Sequence, residues 1–107
     1  MRYTCNVPGF EHCFVEISER WTRGDVKNFF ALKGEEYLSL LRAKIVAIHL
    51  DTDSTPIDSA EKLTSDAADN VDYMLWRWFS VAVQKGVDDL YSMGEASARR
   101  WLDGVVN

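Results

Sequence analysis

The sequence contains only two histidines, two cysteines and two prolines among its 107 residues. With so few histidines, no Ser-His-Asp or Cys-His catalytic arrangement can be assembled, and no glycine-rich loop of the kind that binds phosphate is present. A structural zinc site normally takes four ligands at recognisable spacing, whereas here His12 and Cys13 are adjacent and His49 is distant. We therefore expect a protein that is not an enzyme, with no catalytic residue, no metal site and no cofactor.

Long apolar runs and an excess of positive charge are also missing. No run of about 18 or more apolar residues occurs, so no membrane-spanning helix is expected. The first residues include polar Thr4 and Asn6 and lack the apolar core of a signal peptide. The formal net charge of −5 argues against a protein that binds the nucleic-acid backbone, because such binding rests on cationic side chains. We expect a soluble cytoplasmic protein with neither a membrane nor a direct nucleic-acid partner.

Residues 1–20 alternate between apolar and polar positions, as β-strands do. One predicted strand face holds Tyr3, Cys5 and Val7, and the next holds Cys13, Val15 and Ile17. Pro8 and Gly9 between them form a strong turn signal, so a β-hairpin is predicted. Cys5 and Cys13 would face each other across it. In a cytoplasmic protein two free core thiols are favoured over a disulfide, although the sequence leaves the pairing open.

Helical patterns dominate the rest of the chain. Residues 22–50 are predicted to form helices, the first beginning with Thr22 and Asp25 at capping-box spacing. The second has one apolar face, made of Tyr37, Leu38, Leu41, Ile45 and Ile48. Residues 51–63 read as an acidic linker, and residues 64–107 as an aromatic helix capped by Thr64 or Ser65 and a C-terminal helix.

Gly86 is expected to kink or end the aromatic helix, and the last helix is expected to begin near Ser97. That last helix would bury Ala98, Trp101, Leu102 and Val105. The whole, residues 1–107, is predicted to be one α+β domain, mostly α. It would consist of an N-terminal hairpin followed by about four helices packed as a small bundle.

The stretch from Tyr73 to Phe79 is the densest aromatic segment of the chain. When this stretch and the residues on either side of it are placed on a helix at about 100° per residue, their apolar side chains divide into two stripes. One stripe, predicted to face the core, holds Ala67, Ala68, Val71, Met74, Leu75, Trp78, Phe79 and Ala82; the other holds Trp76, Val83, Val87 and Leu90. Because aromatic residues are favoured anchors in protein interfaces, we predict a partner-binding face made of Tyr73, Trp76, Val83 and Val87.

The acidic residues are concentrated between Asp51 and Asp72, in the predicted linker and the helix start that follows it. An alternative function uses them: an acidic phage or bacterial inhibitor could occupy the nucleic-acid-binding site of a target protein. Its acidic patch would consist of Asp51, Asp53, Asp58, Asp66 and Asp69. Binding through such a patch should weaken steeply with salt, whereas an apolar contact should not.

The order of these segments resembles that of small tail assembly chaperones of long-tailed bacteriophages and their prophage relatives. The resemblance spans most of the chain: a hairpin around Asn6-Val7-Pro8-Gly9-Phe10, Arg20-Trp21-Thr22 opening a helix, an acidic linker, and Leu75-Trp76-Arg77-Trp78 on a helix. It implies a non-catalytic protein that shields a hydrophobic client, the tape-measure protein, in the host cytoplasm, and that self-associates as a homo-oligomer.

Overall fold

A computed structural model describes the backbone of residues 1–106 and the side chains of residues 1–100. Within that range the chain forms a three-stranded antiparallel sheet and four α-helices, so the predicted α+β, mostly α class is confirmed. The strands are β1 (Arg2–Thr4), β2 (Phe14–Ile17) and β3 (Ile45–His49). The helices are α1 (Arg23–Ala31), α2 (Gly34–Lys44), α3 (Ser65–Ala68) and α4 (Tyr73–Val106), with a 3₁₀ turn at Ala60–Lys62.

The predicted hairpin is confirmed by the pairing of β1 with β2, in which Tyr3 lies opposite Val15. Gly9 has a φ of 91°, a left-handed conformation that glycine adopts without steric cost. The backbone N–H of Cys5 donates to the carbonyl of Cys13 at 2.9 Å and closes the loop. Both cysteines are buried and free, as predicted for core thiols.

The second predicted helix ends earlier than expected, because Ile45–His49 forms β3 on the other side of β2. Val15 pairs with Ile48, and the register then shifts so that Ile17 pairs with Ile45. This bulge adds one residue to β3, so that Ile45 and Ile48, three positions apart, are both buried. A three-residue spacing is typical of a helix face, which is why the strand was misassigned.

Residues 51–63 are not the solvated linker that their composition suggests. Ile57 and Leu63 are buried, and Leu50 and Ile57 exchange backbone hydrogen bonds of 2.9 Å. Thr64 does cap a helix, but it is the short α3, where its Oγ1 accepts from Ala67 N–H at 3.2 Å. The long helix begins separately, at a cap formed by the Asp72 carboxylate, which accepts from Met74 N–H at 2.9 Å.

The long helix α4 is continuous over Tyr73–Val106, so it does not end at Gly86, and the prediction of a separate helix from Ser97 was wrong. Gly86 is buried, and a Cβ built there would lie 2.9 Å from Ile17 Cδ1. The glycine thus allows α4 to pack closely on the sheet. Ala98 is exposed rather than buried. The side chains of Trp101, Leu102 and Val105 lie outside the described part of the chain.

A single hydrophobic cluster joins the sheet, the loop after β3 and helices α1, α2 and α4. The part of α4 in that cluster combines members of both predicted stripes: Leu75, Phe79, Ala82, Val83 and Val87. Val71, just before α4, is buried in the same cluster. Met74, predicted to face the core, is instead exposed. The capping box predicted for α1 is confirmed by reciprocal hydrogen bonds between Thr22 and Asp25. Within the described residues, no helix combines the length and apolarity needed to cross a membrane.

Candidate functional site

A groove with a volume of about 550 Å³ lies where α2, α3 and the start of α4 meet. We call it the aromatic groove and define it by six of its lining residues: Tyr37, Ala68, Asp69, Val71, Tyr73 and Trp76. Its aromatic side chains come from two helices that are distant in sequence. Only the fold therefore brings them together.

Core contacts hold one side of the aromatic groove in place. Trp76 is half-buried and its ring packs against Phe79, with 5.1 Å between the ring centroids. Its backbone carbonyl accepts a hydrogen bond from Ser80 Oγ at 3.0 Å. The Tyr37 ring packs on Phe29 at 5.7 Å, and burial raises the pKa of the Tyr37 phenol. These rings are thus positioned before any ligand arrives.

Tyr73 is the exposed part of the same surface. Its side chain is 71% exposed at the first turn of α4, directly after the capping residue Asp72. An exposed tyrosine beside a half-buried tryptophan offers a large amphipathic area at a small cost in side-chain entropy. The groove can therefore bind an apolar group, and the Tyr73 hydroxyl can form a hydrogen bond to a polar atom at the edge of that group.

The predicted partner-binding face is divided by the structure. Tyr73 and Trp76 line the aromatic groove, but Val83 and Val87 are 1% and 2% exposed in the core. Their assignment to an exposed face was wrong, because close packing at Gly86 turns that side of α4 onto the sheet. Of the predicted face, only Tyr73 and Trp76, on the first turns of α4, are accessible to a partner.

Arg42 fixes the distance between α2 and the segment that leads into α3. Its Nη1 donates to the Leu63 carbonyl at 2.7 Å, and its Nη2 forms an ion pair with Glu35. Glu35 also accepts from Ser65 Oγ at 3.3 Å, and the Arg42 guanidinium lowers the pKa of its carboxyl. A single arginine thus connects two walls of the aromatic groove.

The five aspartates of the predicted acidic patch have different surroundings. Asp51 contacts both histidines, and Asp58 forms an ion pair with Lys62 at 2.7 Å, which lowers the pKa of the Asp58 carboxyl. Asp53, Asp66 and Asp69 are exposed, and the Asp53 backbone N–H donates to the carbonyl of Asn70 at 3.0 Å. Asp69 lies on the aromatic groove itself.

A second cluster, which the spacing along the chain did not indicate, forms at one end of the sheet. Because Phe14 pairs with His49, the residues just before β2 lie beside those just after β3. His12 Nε2 lies 2.6 Å from Asp51 Oδ2, and His49 Nε2 lies 3.2 Å from Asp51 Oδ1. The two imidazole centroids are 5.6 Å apart.

Cys13 completes this cluster from the inside. The ligand-type atoms of His12, Cys13 and Asp51 all lie within 4.8 Å of one another. Cys13 is fully buried, and burial raises the pKa of its thiol. The sequence contained one usable signal, the β-branched residues of Ile45–His49, since recognising that strand would have placed His49 and Asp51 beside His12.

Comparisons with known proteins do not assign this chain to a family. Comparisons of the chain with family models, with curated proteins and with solved structures find no match. The likeness to tail assembly chaperones therefore stays a prediction.

Proposed function

We propose that this protein is a non-catalytic protein–protein interaction module whose aromatic groove holds an apolar segment of a client protein. The observation that carries the proposal is the placement of Tyr73, 71% exposed, and half-buried Trp76 on a groove of about 550 Å³. Tyrosine and tryptophan are enriched among the residues that dominate binding energy in interfaces. An apolar segment that fills the groove removes these rings from water.

The negative charge around the aromatic groove indicates which client segments can bind there. Asp69 lines the groove, Asp66 is exposed one helical turn before it, and the whole chain carries a formal net charge of −5. An apolar segment flanked by lysine or arginine would complement this rim, and an acidic segment would be repelled. We therefore assign the groove to an amphipathic, basic segment of another protein.

The resemblance to phage tail assembly chaperones implies which protein the client is. Members of that family are implied to bind the tape-measure protein during tail building, and in this proposal the client segment is a hydrophobic part of that protein. A groove of this kind can cover one such segment at a time. In this proposal the protein acts in the host cytoplasm, and the exposed acidic residues keep the complex in solution.

Calorimetric titration with a designed peptide tests the groove directly. An amphipathic leucine–lysine peptide is expected to bind the purified chain, and a leucine–glutamate peptide of equal length is expected to bind a few-fold more weakly. Tyr73→Ala should weaken binding by about tenfold or more, as expected for a central aromatic anchor. Tyr91→Ala is a matched control, because Tyr91 is also 71% exposed on α4 but does not line the aromatic groove.

Equal loss of affinity in Tyr73→Ala and Tyr91→Ala would place the binding surface elsewhere on α4 and contradict the proposal.

The dependence of peptide affinity on salt concentration distinguishes the proposal from the acidic-inhibitor alternative. Because the apolar contact dominates, raising the salt concentration from about 0.05 to 0.5 M should change the affinity by no more than a few-fold. A steep loss would favour recognition by the aspartates, among which Asp53 and Asp66 are exposed.

Client identity needs its own experiment. Co-expression with the tape-measure protein of the same genome should raise the soluble yield of that protein, and Tyr73→Ala should remove the increase. A yield that does not respond to the wild-type chain would contradict this client while leaving the peptide result intact.

Self-association is the second part of the implied role, and solution mass measures it. Trp76→Glu should lower the mass of an oligomer while the circular dichroism spectrum is retained, since Trp76 lies at the groove and not at the centre of the core. An unchanged monomeric mass for both proteins would contradict self-association through this face.

A further inference from the structure

The sheet brings a nitrogen, a sulfur and an oxygen donor to one point at its end. His12 and Cys13 immediately precede β2, and Asp51 lies two positions after the end of β3. Their ligand-type atoms all lie within 4.8 Å of one another. From this juxtaposition we propose that His12, Cys13 and Asp51 form a binding site for a divalent transition-metal ion, with Zn²⁺ as the best match.

The donor set determines the class of metal. Thiolate and imidazole ligands suit Zn²⁺ and related first-row ions, whereas Ca²⁺ and Mg²⁺ prefer sites made of oxygen atoms. Zinc accepts a carboxylate oxygen beside nitrogen and sulfur, and it is bound by three protein ligands when the fourth position is left to water or another molecule. Three ligands from His12, Cys13 and Asp51 match that arrangement.

The distances are compatible with a small rearrangement around an ion. Bond lengths to tetrahedral zinc imply ligand atoms about 3.3–3.8 Å apart. His12 Nε2 and Asp51 Oδ2 lie 2.6 Å apart in a direct hydrogen bond, so the ion would enter between them and separate them. The His12 side chain is 55% exposed and can rotate outwards, while buried Cys13 provides a fixed inner ligand.

Binding of the ion releases one proton from the site. The ion binds the Cys13 thiolate, so the thiol proton is released to solvent, and His12 binds through a neutral ring nitrogen. The exposed side of His12 provides the path by which the ion enters and the proton leaves. No oxidant or reductant takes part.

His49 acts as a positioning residue in this site. Its Nε2 lies 3.2 Å from Asp51 Oδ1, the oxygen that does not contact His12. A hydrogen bond to one carboxylate oxygen orients the other, and such supporting contacts typically contribute about 10–100-fold in metal affinity. His49 is also packed edge-on to His12, with a 61° angle between the rings.

The competing explanation needs no metal, since a carboxylate that contacts an imidazole on each oxygen can simply join the ends of β2 and β3. The two explanations differ in what Cys13 does. A purely structural pair of His–Asp contacts does not involve the sulfur, whereas a metal site forms a metal–thiolate bond. Co²⁺ reports that bond directly, because a cobalt–thiolate bond produces a charge-transfer absorption band.

The test is titration of the reduced, purified full chain with Co²⁺ and then with Zn²⁺ in competition with a chromophoric chelator. We expect one ion per chain and a charge-transfer band that Zn²⁺ abolishes. Cys13→Ser should remove the band, and Cys5→Ser is the matched control, because Cys5 is the other buried free thiol and lies outside the cluster. His12→Ala and Asp51→Asn should each weaken Zn²⁺ binding by at least about tenfold, and His49→Ala by about 10–100-fold.

His12 is exposed, so His12→Ala keeps the test valid even if Cys13→Ser fails to fold. Several results would overturn the proposal: no charge-transfer band in the wild-type chain, a band that persists in Cys13→Ser, or a Zn²⁺ affinity unchanged by both His12→Ala and Asp51→Asn. Loss of the band in Cys5→Ser as well, with the fold retained, would assign the thiolate to a different site and also count against it.

Discussion

The Tyr3 hydroxyl donates a hydrogen bond to Asp89 Oδ2 at 2.8 Å and thereby connects β1 to the middle of α4 across 86 positions of sequence. Burial, together with the nearby Asp89 carboxylate, raises the pKa of Tyr3 to about 12. The same hydrogen bond, with a second from Lys85, lowers the pKa of Asp89. The folded state therefore favours the neutral phenol beside the charged carboxylate.

This pair predicts a loss of stability at alkaline pH. Because the Tyr3 pKa is higher in the folded chain, its contribution is complete below the ordinary tyrosine value near 10 and is lost as the pH rises through about 12. Urea unfolding at a series of pH values should show this decline, and Tyr3→Phe should show a shallower one. Tyr37 is present in both proteins, so its own raised pKa cancels in the comparison. Identical slopes would contradict the assignment.

Gly86 should be intolerant of a side chain, unlike a glycine further along the same helix. Gly86→Val is expected to lower the free energy of unfolding by about 1–3 kcal/mol, as overpacked cores do, since a Cβ there meets Ile17 Cδ1 at 2.9 Å. Gly94→Val is the control, because a Cβ at Gly94 has no atom within 4 Å. Its stability should be unchanged or slightly higher by chemical denaturation. A stable Gly86→Val protein would argue against close helix–sheet packing.

Substitutions at Phe79 and Phe30 test which phenylalanine belongs to the core. Phe79 is 1% exposed and Phe30 is 61% exposed. Phe79→Ala should cost about 3–5 kcal/mol of unfolding free energy through lost burial and a cavity. Phe30→Ala should cost only about 1 kcal/mol, mainly the loss of its ring contact with Phe29. Equal costs in a urea titration would show that α1 packs differently.

Removing Arg42 should loosen the aromatic groove as well as the fold. Arg42→Met keeps the aliphatic part of the side chain but leaves the Leu63 carbonyl without its 2.7 Å donor, at a cost of about 1–3 kcal/mol. Peptide affinity at the aromatic groove should fall in the same variant. Arg99→Met is the control, because Arg99 is exposed and, among the described side chains, its ion pair is with Glu95 on the surface, so a change within about 0.5 kcal/mol is expected.

Sequence patterns predicted the elements that are stabilised locally. The hairpin follows from alternating apolar residues around Pro8 and Gly9, and the start of α1 follows from Thr22 and Asp25, which hydrogen-bond each other across three residues. The helical character of the Tyr73–Phe79 segment was also evident from its period. In each case the determining interactions lie within a few residues of one another, so they can be read from neighbouring letters.

The tertiary structure decided what depended on contacts between distant segments. Ile45 and Ile48 have helical spacing, and only pairing with β2 and a bulge made them part of a strand. Gly86 reads as a helix breaker, but within a packed helix its missing side chain makes room for Ile17 and Tyr3, so Val83 and Val87 become core.

The two candidate sites follow the same rule. The sequence alone predicted that Tyr73 and Trp76 belong to a partner-binding face, and it shows that His12 is adjacent to Cys13. The partners of both pairs come from elsewhere: Tyr37 from α2 and Asp51 from beyond β3. The sequence by itself determined the fold class, the hairpin and the existence of an aromatic helix. The fold decided which faces are buried and which side chains meet, because burial and long-range pairing depend on the whole chain rather than on any local pattern.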